Sequence, residues 1–193
     1  MVRVGLLALQ GSFEAHARCF AQLGVATTLV RLPDDLASVS HVVIPGGEST
    51  TMHHLMEFAE LHGALRDRHD RGASFWGTCA GAILLGRESV ERPPRLSLID
   101  IDAQRNAYGR QIASFTRDLH IPAVGRDPFH AVFIRAPRFA HPGKRVQVLA
   151  KDGDAIVLAR EGRVLVSAFH PELTADTRLH QWFLGMATEG APL

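Results

Sequence analysis

The sequence of 193 residues is short of several things, and each shortage excludes a class of protein. It has two cysteines, Cys19 and Cys79, in unlike contexts. No disulfide framework is expected, and a reducing, cytoplasmic setting is the default. No apolar run approaches the ~20 residues needed to span a bilayer. The opening stretch, residues 1–9, is interrupted too soon for a signal peptide. Neither sign of charge is in excess: 21 basic residues face 20 acidic ones, for a formal net charge of +1. That gives no electrostatic case for nucleic acid or a membrane surface. CxxC and HExxH are both absent. Eleven histidines are present, but the adjacent His53 and His54 point to different faces of a helix, so neither a metal nor a cofactor is expected. Linkers, repeats and low-complexity tracts are missing too. That leaves one domain over residues 1–193, long enough for a sizeable core.

What is present alternates. Residues 2–9 form an apolar run closed by Gln10-Gly11-Ser12, and Ser12 is placed to cap a helix over 13–23 that stops at Gly24. Strands are expected at 25–30, 41–44 and 73–76, a short segment at 33–37, and helices at 50–60 and 64–70. Apolar strands alternating with amphipathic helices predict a parallel sheet covered on both faces, a three-layer α/β/α sandwich. The second half changes character. After a loop at 91–95, shorter strand-like runs fall at 96–103, 111–115, 131–134, 146–150, 155–158 and 164–168. Asp152-Gly153-Asp154 and Glu161-Gly162-Arg163 read as hairpin turns, so some antiparallel strands are expected here. A helix over 174–186 closes the pattern.

The most informative stretch is Gly77-Thr78-Cys79-Ala80-Gly81, between an expected strand and a helical Ala82-Ile83-Leu84-Leu85. Gly-x-nucleophile-x-Gly in that setting is a nucleophile elbow. Small neighbours are required because the turn is tight and strained. The turn lifts the sulfur above the sheet edge at a helix N-terminus, whose partial positive charge favours an anion. A base is supplied downstream by Phe169-His170-Pro171-Glu172. Pro171 biases His170 towards extended geometry, where residues i and i+2 share a side, so Glu172 reaches an imidazole nitrogen. Cys79, His170 and Glu172 therefore form a nucleophile, a base and an orienting carboxylate. Cys19 lacks a glycine frame and reads as helix packing.

A second loop, Pro45-Gly46-Gly47-Glu48-Ser49-Thr50-Thr51, also follows a strand and opens a helix. Its glycines can turn backbone N–H groups inward to make an oxyanion hole with the N–H of Ala80. It can also bind phosphate, though it matches neither common phosphate-loop spacing, or serve only as a Ser/Thr helix cap.

Together with Leu9-Gln10-Gly11, Arg105-Asn106-Ala107-Tyr108-Gly109-Arg110-Gln111, Phe133-Ile134-Arg135-Ala136-Pro137 and Leu173-Thr174, these stretches resemble the class I, triad-type glutamine amidotransferases. The resemblance covers essentially the whole chain. It implies a flavodoxin-like fold with catalytic Cys79, His170 and Glu172 and an oxyanion hole at Gly47 and Ala80. It also implies a glutamine site lined by Gly46, Gly47, Glu48, Ser49, Arg105, Ile134 and Arg135. A free amino acid presents an ammonium and a carboxylate, and Glu48 with Arg105 or Arg135 supplies the complementary charges. The expected substrate is L-glutamine. The expected partner is a separate synthase subunit that uses the ammonia to build pyridoxal 5′-phosphate. Three alternatives stay open: a subunit of another amidotransferase, a cysteine hydrolase or chaperone with the same elbow, and a non-enzymatic module. One departure is visible. Members of the family often carry an acidic residue next to a histidine after Gln-Gly, whereas Ala15 separates Glu14 from His16 here, and no role is assigned to either.

Overall fold

The computed structural model describes residues 2–87, 95–104 and 114–186. Arg105, the Asn106–Gln111 part of its motif and most of the expected 91–95 loop lie outside them. The first half alternates as the sequence predicts: β1 (Val4–Leu7), α1 (Phe13–Gln22), β2 (Thr27–Val30), β3 (His41–Ile44), α2 (Ser49–Phe58), α3 (Leu61–Asp70), β4 (Ser74–Thr78) and α4 (Ala80–Leu85). The second half holds β5 (Asp102–Gln104), β6 (Ser114–Leu119), β7 (Phe129–Ile134), β8 (Arg138–Ala140), β9 (Gln147–Asp152), β10 (Ala155–Glu161), β11 (Val164–Ser167) and α5 (Arg178–Gly185).

Strands β2, β1, β3, β4 and β11 run parallel in that order, and β10, β8 and β5 extend the sheet antiparallel, with β9 paired to β10. Strands β1, β3, β4 and β11 are buried along their whole length, as a sheet covered on both faces demands. Alternation along β4 shows the two layers directly. The Phe75 ring meets His69 of α3, while the Trp76 ring meets His16 of α1 and both His180 and Phe183 of α5. Both expected hairpins form, with Gly153 and Gly162 at φ 57° and 54°. Among the described residues, no helix is long and apolar enough to cross a membrane.

Two expectations need correction, and one strand had no counterpart in the sequence reading. The strand at 96–103 shrinks to β5, because the chain at 96–99 instead bonds the end of α4, through Leu96 N–H to Leu84 O and Leu98 N–H to Leu85 O. Strand β8 was not foreseen, since it holds one apolar residue pair with β10, Ile156–Phe139. The last helix starts at Arg178 rather than 174. Pro171–Leu173 form a 3-10 turn first, and Asp176 accepts the Arg178 amide at 3.0 Å. Among the described residues, β6 and β7 pair only with each other. They are tied to the main body by His170 N–H to Val132 O at 2.8 Å and by Phe129 and Phe133 against Phe169.

Candidate active site

The elbow explains its own sequence. A Cβ on Gly77 would lie 2.6 Å from the backbone of Gly81 and Ala82, and one on Gly81 would lie 1.9 Å from the carbonyl oxygen of Ile44. Only glycine fits either position. Between them Cys79 sits at φ 48° and ψ −104°, a region that L-residues rarely adopt. The strained turn is held by Cys79 N–H donating to Ser167 O at 2.8 Å and by Ile83 N–H donating to Cys79 O at 3.3 Å. The sulfur stands 3.7 Å from the carbonyl of Ile134, at the end of β7.

The expected base, His170, follows the end of β11. His170 is buried, lies beside Cys79 against Gly46, and places Nδ1 2.8 Å from Glu172 Oε1. The pairing expected from the sequence is present, but its geometry differs. The 3-10 turn, with Pro171 at its first position, folds Glu172 back under the imidazole rather than across an extended strand. Burial alone would push His170 below its ordinary value. With Cys79 close by, the hydrogen bond and charge of Glu172 outweigh burial and raise it to about 10. Glu172 shows the reverse: burial would raise it, but His16, His170 and the Ser12 hydroxyl hold it down at about 2. An imidazolium held by the anionic Glu172 is the arrangement this geometry favours.

Ser12 was expected to cap α1. Its backbone carbonyl does accept from Ala15 and His16, but its hydroxyl donates instead to Glu172 Oε1 at 2.6 Å. A buried carboxylate is the stronger acceptor. Cys19 packs as expected: it is buried, 3.9 Å from the Glu172 carbonyl, and its thiol is pushed up by burial.

Cys79, Ala80, Gly46, Gly47, Glu48, Ser49, Ile134, Arg135 and His170 all line one cavity of about 510 Å³. Glu172 lies behind His170, outside the lining. Sequence reasoning assigned no site role to Gln10 and Gly11, which also line the cavity. Gln10 Oε1 accepts the Glu48 amide at 2.9 Å, and a Cβ on Gly47 would strike that same oxygen at 2.5 Å. Gly46 is packed as closely, since a Cβ there would lie 2.3 Å from the His170 ring. Gly46 O accepts from Ser12 N–H at 3.1 Å. In a trans peptide N–H and C=O point oppositely, so the Gly47 N–H is turned away from Ser12. Ala80 opens α4, where the first amides lack helical acceptors. The cap of α2 proves to be Glu48 itself, whose carboxylate accepts from Thr50 N, Thr51 N and Thr51 Oγ1. The loop therefore joins the cap role and the cavity-lining role, which the sequence offered as competing readings.

Away from this cavity, on α2, His53 Nε2 and His54 Nδ1 each lie 3.9 Å from Glu57 Oε2. The adjacent histidines were expected on different helix faces; they differ in burial, yet both turn to one carboxylate.

Residues 6–189 match the model of the SNO glutamine amidotransferase family. A protein of Deinococcus radiodurans described as pyridoxal 5′-phosphate synthase subunit PdxT is 52% identical over 97% of this chain and 98% of its own. One of Herpetosiphon aurantiacus with the same description is 50% identical over 95% of this chain and 99% of its own. A crystal structure of a glutamine amidotransferase superposes with TM-score 0.90 at 46% identity, covering 96% of this chain and 98% of that one. The PurLQS structure from Thermotoga maritima shares the fold at TM-score 0.74 and 16% identity, covering 95% and 98%. A cysteine elbow backed by a buried His–Glu pair, with these relatives over nearly the full length of the chain, means that the chain belongs to the SNO glutamine amidotransferase family.

Proposed function

We propose that this chain hydrolyses L-glutamine to L-glutamate and ammonia, and passes the ammonia to a synthase subunit that makes pyridoxal 5′-phosphate. The observation that carries the chemistry is Cys79 in its strained elbow, beside a His170 whose Nδ1 is held by Glu172. The two relatives described as subunits of that synthase support the choice of partner.

In this mechanism the Cys79 thiol passes its proton to His170 and the sulfur attacks the side-chain amide carbon of glutamine, opening its C=O and forming a C–S bond and a tetrahedral oxyanion. The N–H groups of Gly47 and Ala80 receive the oxyanion. His170, as imidazolium, gives its proton to the leaving nitrogen, the C–N bond breaks and ammonia departs. Neutral His170 then takes a proton from water, which attacks the γ-glutamyl thioester. Glutamate leaves and Cys79 is restored. Glu172 keeps His170 oriented and stabilises its charge throughout. Gly46, Gly47, Ser49, Ile134 and Arg135 hold the amino acid, with the Arg135 guanidinium available to its carboxylate. The Glu48 carboxylate already accepts from the Thr50 and Thr51 amides and the Thr51 hydroxyl, so a substrate ammonium competes with its cap bonds. Arg105 is proposed for the same site on the resemblance alone.

The partner reading has its own support at the mouth of the cavity. Leu173 and Ile134 line it and are 47% and 36% exposed, an apolar rim that a second protein would cover. The test is ammonia release from glutamine by the full chain, alone and with the synthase subunit. Release that the synthase stimulates, and that Cys79→Ala abolishes, is the expected result. No release in either condition overturns the proposal.

A further inference from the structure

Behind the triad lies a buried pair of imidazoles that no step above uses. His16 of α1 and His180 of α5 are each fully buried. His16 Nδ1 stands 3.0 Å from His180 Nε2. His16 Nε2 stands 3.3 Å from Thr78 Oγ1 and 3.4 Å from Glu172 Oε2. The two oxygens of Glu172 are therefore served separately. Oε1 takes both Ser12 and His170, while Oε2 is buried with no close hydrogen bond and has His16 Nε2 beside it.

The groups packed against His16 settle which nitrogen carries its proton. They are Thr78 and the Trp76 ring edge from β4, His180 from α5, and Glu172 from the 3-10 turn, with the His170 charge beyond. Burial pushes His16 down, Glu172 opposes this, and His170 reinforces it, so the ring is neutral with one proton. With that proton on Nε2, it donates towards Glu172 and Thr78, and Nδ1 accepts from His180 Nε2–H. The group then left without a partner is the His180 Nδ1 lone pair. With the proton on Nδ1, a lone pair would face the anionic Oε2 and His180 would bury an unpaired N–H donor. Both are unfavourable.

We propose that His16 is a positioning residue of the reaction, donating from Nε2 to Glu172 Oε2 and so reserving Oε1 for Ser12 and His170. Held from three sides, the carboxylate cannot rotate away from the His170 ring. The consequence for catalysis rests on the glutaminase reading above, but the contact itself does not.

Histidine-selective 15N NMR on the unaltered full chain at neutral pH tests the contact. The resonance of His16 is assigned by its loss in His16→Gln. A proton on Nε2 is expected, and a proton on Nδ1 alone overturns the proposal. Two variants then test the consequence. His16→Leu keeps the bulk without the donor, and His16→Gln restores an amide N–H near the Nε2 position. The Leu variant is expected to lose roughly ten-fold in kcat with KM for glutamine unchanged, the size of one hydrogen bond to a charged group. It is also expected to shift the pH profile of Cys79 alkylation by iodoacetamide, and Gln is expected to recover most of both. A folded Leu variant with wild-type kcat and profile overturns the proposal, as do equal losses in Leu and Gln with an unmoved profile. If the Leu variant does not fold, the NMR result decides. If the wild type releases no ammonia, the glutaminase reading fails, while the NMR and alkylation readouts still judge His16.

Discussion

Glu172→Gln keeps the shape of the side chain and removes its charge, and the size of the loss can be worked from the site. The carboxylate accepts from Ser12 at 2.6 Å and His170 at 2.8 Å while buried. Its pKa is lowered from 4.5 to about 2. At ~1.4 kcal/mol per pH unit, that difference is worth about 3 kcal/mol of folding stability at neutral pH. With His16 neutral, its share is a hydrogen bond rather than a charge, so about 3 kcal/mol is the upper end. The raised His170 reports the same contact from its other end and is not added. A folded pKa below the unfolded one gives stability that is fully present above pH 4.5 and is lost as pH falls through about 2. Wild type and variant should therefore differ by up to about 3 kcal/mol in urea unfolding at pH 7, or about 6–12 °C in Tm. The gap should shrink by more than half near pH 3. Equal stability at pH 7, or a gap that does not change down to pH 3, would refute the reasoning.

Gly81→Ala forces a methyl within 1.9 Å of the Ile44 carbonyl oxygen, so α4 and β3 must separate. A loss of about 1–3 kcal/mol and impaired Cys79 reactivity are expected, checked by thermal unfolding and thiol alkylation. Cys79→Gly removes the residue held at φ 48°. It should unfold at a higher temperature than Cys79→Ala, by about 1 kcal/mol of relieved strain, with both variants inactive in ammonia release.

The first half of the fold was legible because parallel strands buried on both faces leave continuous apolar runs, as at Val4–Leu7 and His41–Ile44. The elbow was legible because its requirement is local: two glycines at fixed distance from Cys79, each packed against backbone. The strand expected at 96–103 failed because an apolar run does not say whether it pairs as a strand or packs beneath a helix. Ser12 and His16 were missed for a different reason. Their partner, Glu172, lies 160 positions beyond Ser12, and only the fold brings α1 against the 3-10 turn. Ser12 reads as a cap from its neighbours, and nothing local shows that a carboxylate competes for its hydroxyl. Glu48 reads as a free acid for the same reason, although its nearest donors are the amides two and three residues ahead.

The central claim, a thioester on Cys79, is tested most directly by mass spectrometry of the chain with its synthase subunit, quenched in acid during turnover of glutamine. The account predicts a γ-glutamyl group on the peptide that contains Cys79, absent from Cys79→Ala. Ammonia release that persists in Cys79→Ala, with no adduct on the wild type, would contradict it.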